Sequence, residues 1–184
     1  PHTNIPEINE ADNQATRVLT IAPPPAPNLV VDKSNIGFDV TDPTEGDSVT
    51  VSATVINNGT RHAENVTVQF MDATDSVVRP IGSAITVGSI LPGASATVQT
   101  SYDTAGLSGD RKIEVIVDRN NLIPEMSESD NSGIATLAVS PPPSADLMMD
   151  SVNIGFDINE PSEGDQVSIN ATVLNKGDVD AEDV

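Results

Sequence analysis

From Val49 to Val55 every second residue is apolar (Val49, Val51, Ala53, Val55), with Thr50, Ser52 and Thr54 between them. A period of two puts one set on each face of an extended chain, so the segment predicts a half-buried β-strand. The Asn57-Asn58-Gly59 cluster after it predicts a turn. Val66, Val68 and Phe70 alternate with Thr67 and Gln69 in the same way. A weaker segment follows around Ile85, Val87 and Ile90, and a Pro92-Gly93 turn then introduces Ala94 to Tyr102, with Ala96, Val98 and Tyr102 on one side. A connection from Ala105 to Asp110 leads to Ile113, Val115 and Val117, and a last strand covers Ile134 to Val139. Upstream, Asn28 to Val40 reads as one opening strand or a bent pair, turned by Thr44-Glu45-Gly46-Asp47. No segment combines a 3.6-residue apolar period with a capped start. Seven or so short strands in about 113 residues predict an all-β fold, a Greek-key β-sandwich, with a closed barrel as the competing architecture.

Compared with itself at an offset of 118, the sequence gives about 30 identities in 66 positions without a gap. Asn35-Ile36-Gly37-Phe38-Asp39 falls on Asn153-Ile154-Gly155-Phe156-Asp157, and Pro23-Pro24-Pro25 on Pro141-Pro142-Pro143. A fixed period of this length suits tandem whole domains rather than solenoid turns. The expected organisation has residues 1–22 as the C-terminal part of a preceding repeat and 23–27 as a proline-rich linker. Residues 28–140 form a complete repeat, 141–145 a second linker, and 146–184 the N-terminal part of a following repeat. The chain begins at Pro1 and stops at Val184, each within a unit, so a longer parent array is expected. Its proline tracts are expected to be extended, at about 3 Å per residue, and semi-rigid.

The formal charge of −20, from 28 acidic and 8 basic side chains, leaves no basic surface for nucleic acid or anionic membranes and favours cations as counter-charges. With no cysteine there are no disulfides, thiolate nucleophiles or cysteine-held metal centres. No apolar run approaches the roughly 18 residues that span a bilayer, so no membrane insertion is expected within this segment.

Gly46-Asp47, then Ala53-Thr54-Val55-Ile56-Asn57-Asn58-Gly59, then Pro92-Gly93, then Val115-Ile116-Val117-Asp118 and Ile123-x-Glu125-x-x-Glu128-x-Asp130-Asn131 together resemble the CARDB family. These are immunoglobulin-like repeats named for prokaryotic cell adhesion. Ile5-x-Glu7-x-x-Glu10-x-Asp12-Asn13 and Gly164-Asp165 through Ala171 to Gly177 repeat pieces of the pattern. The resemblance implies an immunoglobulin-like sandwich in tandem copies within bacterial or archaeal surface proteins, extracellular or at the cell surface. Where such repeats often carry an aromatic, this chain has Tyr102.

Candidate chemistry is sparse. The two histidines are His2 and His62, and the position matching His62 one period on is Asp180, so no triad is available and no enzyme is expected. The run from Asp118 to Asp130 spaces oxygen ligands as a hard cation needs, and Asp118, Asn120, Glu125 and Glu128 are the candidate Ca²⁺ ligands. The alternative is that Asp118, Asn120 and Asn131 bond loop backbone while the glutamates are solvated. Asp39, Asp42, Glu45 and Asp47 read as solvated surface, and Ile36 and Phe38 as core. Asn58, Asn65 and Asn170 head Asn-x-Thr glycosylation motifs. Alternation places Asn65 and Asn170 outward, opposite the sets Val66, Val68, Phe70 and Val167, Ile169, Ala171, Val173; the counterpart of Asn65 one period on is Asp183.

The reading these features support is a non-catalytic structural repeat serving as stalk, fibre, filament or surface-layer material. Its partners are copies of itself, neighbouring repeats or other cell-surface components. A specific adhesive module and an accessory domain of a secreted hydrolase are the alternatives.

Overall fold

The computed structural model describes Pro6, Ile8, Asn9 and residues 12–182; Pro1, His2, Ile5, Glu7, Glu10, Asp183 and Val184 lie outside the described residues. The described elements are strands and two short 3-10 turns.

Residues 28–140 form two four-stranded sheets. In the first, β3 (Ser48–Asn57) is central. It pairs along its whole length with β6 (Ser95–Asp103). Its other edge is shared by β1 (Leu29–Val30) near its end and β2 (Ile36–Phe38) near its start. The opening segment is therefore the bent pair of the sequence reading, broken by a 3-10 turn at Lys33–Asn35 that Asp32 caps. The second sheet runs β5 (Arg79–Ile90), β4 (Ala63–Asp72), β7 (Gly109–Val117), β8 (Ser132–Val139), all antiparallel. The chain crosses between sheets from β3 to β4, from β5 to β6 and from β6 to β7, and each crossing encloses the same core.

The predicted alternation produces that core. Val49, Val51, Ala53 and Val55 face Val66, Val68, Phe70, Ile113, Val115 and Leu137, all buried. Burying each such side chain stabilises the fold by roughly 1.5–3 kcal/mol before chain entropy is charged against it. Ile36 is buried, Phe38 packs partly buried against the cluster, and Tyr102 and Val98 close it from β6. Two separate sheets stand where the competing barrel would have closed one.

The local pairings recur one period on. β9 (Leu147–Met148) pairs with β12 (Leu174–Asn175), and β10 (Ile154–Phe156) with β11 (Ile169–Ala171), in the register of β1 and β2 on β3. The expected burial does not recur. Ile169 is 66% and Val173 46% exposed, whereas their counterparts Val51 and Val55 are fully buried. The reason is that no second sheet covers this face among the described residues, and alternation buries a face only when something lies against it. Residues 14–22 likewise form no strand: Val18, Leu19 and Ile21 are exposed and no neighbouring strand pairs with them.

Candidate functional site at the linker junction

Apart from Gly46-Asp47 at the head of β3, the residues that carry the family resemblance gather at one end of the sandwich, around the point where the proline linker becomes β1. Asn57 closes β3 at a position in phase with Val49 to Val55, and its side chain is fully buried. Its Nδ2 donates to the Arg61 and Ile90 carbonyls at 2.8 and 2.9 Å, and its Oδ1 accepts from Asn28 N at 3.1 Å and Gly59 N at 3.0 Å. Both donors and both acceptor sites of the amide are used. The turn then grips the linker backbone: Asn58 N donates to Asn28 O at 2.7 Å and Thr60 N to Ala26 O at 2.9 Å. The linker passes so close that a Cβ on Gly59 would lie 2.4 Å from the Pro27 carbonyl carbon, which is why this position takes glycine.

The same device stands one period on. Asn175 Oδ1 accepts from Asp146 N and Gly177 N, both at 3.0 Å, and Asn175 Nδ2 donates to Val179 O at 2.7 Å. Lys176 N and Asp178 N donate to Asp146 O and Ser144 O, and a Cβ on Gly177 would meet Ser144 O at 2.1 Å.

The acidic loop between β7 and β8 holds the linker from the other side. Met126 N donates to Pro27 O at 2.9 Å, Leu29 N donates to Glu125 Oε2, and Asn28 Nδ2 donates to Asp130 Oδ2 at 2.9 Å. Glu125 Oε1 accepts from Asn131 Nδ2 at 2.7 Å, and Glu128 Oε1 from Glu125 N at 3.0 Å. Asp118, in the left-handed region at φ 43°, accepts from Ile123 N at 2.7 Å. Of the four candidate cation ligands, Asp118, Glu125 and Glu128 are thus turned onto backbone N–H groups, and Asn120 is exposed. Glu125 is not a solvated glutamate. Burial pushes its carboxyl above the usual range, the Leu29 and Asn131 hydrogen bonds oppose this, and the Glu128 and Asp118 charges add to it. Among the described residues, no group of three or more His, Cys, Asp or Glu side chains is placed to hold a metal ion. Linker residues Ala26 and Pro27 belong mechanically to the sandwich, and Pro27 is buried.

At the opposite end lies a cluster that the sequence reading passed over. Asp72 Oδ2 accepts from Tyr102 OH and from Arg111 Nη2, both at 2.6 Å, while Oδ1 accepts from Thr74 N at 3.0 Å and Thr74 Oγ1 at 2.6 Å. Burial alone would raise the Asp72 pKa, but the hydrogen bonds from Thr74, Tyr102 and Arg111 outweigh it and hold it at about 2. Burial, then the bond to Asp72, pushes Tyr102 up to about 12. Both groups are displaced from neutral pH, contrary to what general acid–base chemistry requires. The arrangement fastens the two sheets together. Its signal was present in the alternation: Asp72 is in phase with Val66, Val68 and Phe70, and Arg111 with Ile113, Val115 and Val117, so both are polar residues at inward positions.

His62 lies exposed beside Glu64 at 3.2 Å. The three sequon asparagines are all exposed: Asn58 on the linker-gripping turn, Asn65 at φ 54° within β4, and Asn170 in β11.

Two antiparallel sheets with these crossings, and a loop that returns to hold the leading strand, define an immunoglobulin-like sandwich domain. The CARDB family model matches residues 26–134, and the chain belongs to that family. The match begins at Ala26, the first residue the Asn57 turn holds. A CARDB domain from Pyrococcus furiosus, solved in solution, aligns with a TM-score of 0.52 at 18% identity, covering 63% of this chain and 97% of that domain. A crystal structure of the same domain in complex with di-metal ions gives 0.51 and 16%, covering 66% and 100%. A domain of a Methanosarcina acetivorans protein provisionally assigned to the cell surface gives 0.50 and 23%, covering 62% and 92%. No curated protein matches the chain in sequence. CARDB is a family of non-catalytic domains. Among the described residues no helix is long and apolar enough to cross a membrane.

Proposed function

We propose that this chain is a non-catalytic, load-bearing spacer of an extracellular surface protein, built from sandwich units in tandem and joined by proline linkers. One observation carries the reading: the linker grip of Asn57 and Gly59 is rebuilt at Asn175 and Gly177 with the same bonds. A chain that repeats a side-chain and backbone grip on its linkers is adapted to fix the spacing of successive units. The Methanosarcina relative supports a surface location. The partners are neighbouring units and further copies assembled into stalk, fibre or surface-layer material, and the acidic, lysine-poor exterior keeps such units apart. The exposed Asn58, Asn65 and Asn170 are the positions a glycan would occupy in a host that adds one.

The dimensions make the reading testable. β5, with 12 residues, spans about 40 Å at ~3.3 Å per residue. The three ungripped prolines Pro23 to Pro25 add about 9 Å at ~3.1 Å per residue. Electron microscopy of the parent protein should show beads repeating every ~50 Å. A globular particle without a regular repeat would refute the spacer reading.

A further inference from the structure

Three buried oxygens at the linker junction have no hydrogen-bond partner: Asn28 Oδ1, Asp130 Oδ1 and Asn131 Oδ1. The two amides cannot be turned to cure this. Asn28 Nδ2 donates to Asp130 Oδ2 and Asn131 Nδ2 to Glu125 Oε1, and since carboxylates only accept, a flipped amide would set oxygen against oxygen. All three unpaired atoms are therefore acceptors. They belong to groups tied into one network with Leu29 and Glu125, and Asn131 is only 8% exposed. Buried polar atoms of this kind call for an occupant that brings donors or positive charge.

Electrostatics favours charge. Asp118, Glu125, Glu128 and Asp130 share this loop, and among the described residues none of the four makes an ion pair. Arg119, the cation nearest in sequence, is turned to Gln69 Oε1 and Met71 Sδ. A water molecule would satisfy the oxygens and leave that charge unbalanced; a cation does both.

We propose that Asn28, Asp130 and Asn131 hold a hard cation of calcium size through their side-chain oxygens, with water completing its shell, and that this ion locks the linker to the acidic loop. The set differs from the Asp118, Asn120, Glu125 and Glu128 quartet read from the sequence, because that quartet's carboxylates are committed to backbone donors. One carboxylate and two amide oxygens make a low-charge site, so binding in the weak range of extracellular modules, about 0.1–1 mM, is expected. The site needs only one sandwich unit and does not rest on the array reading.

The test is a Ca²⁺ titration of the isotope-labelled chain, stripped with EDTA, in buffer of about physiological ionic strength. The side-chain NH₂ signals of Asn28 and Asn131 and the backbone amide of Leu29 should shift together and saturate with one midpoint. The melting temperature should rise in step, and traces of Mn²⁺ should broaden the same signals first. Asp130→Asn should weaken the midpoint at least ~10-fold, while Asp42→Asn, on the turn at the far end of the sandwich, should leave it unchanged. If the three signals stay put up to ~10 mM Ca²⁺, roughly tenfold above the expected range, the occupant is water and the proposal is wrong. Equal small shifts spread over all the acidic surface would be charge screening and would overturn it as well. The wild-type titration decides the matter even if Asp130→Asn fails to fold.

Discussion

Gly59→Ala tests the linker grip with a single methyl group. The added Cβ would lie 2.4 Å from the Pro27 carbonyl carbon, 2.5 Å from Ala26 O and 2.5 Å from Asn28 N, all backbone atoms with no rotamer to yield. Restoring ordinary contact moves the linker by about 1 Å, enough to break most of the bonds from Asn58, Thr60 and Asn57 to residues 26–28. Two or three hydrogen bonds at about 1 kcal/mol each give a loss of about 2–3 kcal/mol. Against this, alanine restricts the unfolded chain and returns about 0.4–1 kcal/mol. The net expectation is a destabilisation of about 2 kcal/mol in urea denaturation, with faster amide exchange at Asn58 and Thr60. Gly88→Ala is the control, since a Cβ there meets nothing within 4 Å; it should be neutral or slightly stabilising. If Gly59→Ala matched Gly88→Ala in stability and exchange, the grip would have no energetic meaning.

The cluster joining the two sheets supplies the remaining predictions. Asp72→Ala removes the 2.6 Å counter-charge of the Arg111 guanidinium, 8% exposed, leaving it only the half-exposed Asp75 at 3.8 Å, and should cost about 3–5 kcal/mol in urea denaturation; a loss below ~1 kcal/mol would contradict the burial argument. Tyr102→Phe removes one hydrogen bond to a charged acceptor across the sheets and should cost about 1.5–3 kcal/mol. Because Asp72 titrates at about 2 in the folded chain against 3.8 unfolded, its contribution is complete above pH 3.8 and is lost as pH falls through 2. It amounts to about 2 kcal/mol, so the stability gap between wild type and Asp72→Asn should narrow over that window; a constant gap would count against the assignment.

Period-two alternation made the central strands legible because one face packs on the core and the other turns outward: β3 buries every second residue over its whole length. β5 was faint because it is an edge strand that buries only Ile81 and Ile90. Its register also slips opposite Val68 and Phe70, where Gly82 takes a φ of 67°, so no single phase runs through it. The acidic loop was legible as a motif but not as a contact, since its work is done on residues about 100 positions earlier: Asn28 meets Asp130, and Leu29 meets Glu125. Spacing within the loop suggested a set of cation ligands, whereas the fold turns Glu125 toward Leu29 and Asp118 and Glu128 onto the loop's own backbone. Asn57, Asp72 and Arg111 show what the pattern does offer, because a polar residue at an inward phase must find a partner there.

The two ends of the sandwich are held at opposite ends of one strand. The chain comes in beside Asn57, where Leu29 and Val30 lie on the tail of β3. It leaves beside the head of β3, where Ser140 bridges Thr44, donates to Pro43 O and accepts from Glu45 N. A pull along the chain therefore runs parallel to the strands, and the bonds resisting it are strained side by side, in shear, instead of opening one after another like a zipper. Domains so threaded yield only when many bonds fail at once, which is the loading a tether under flow would impose.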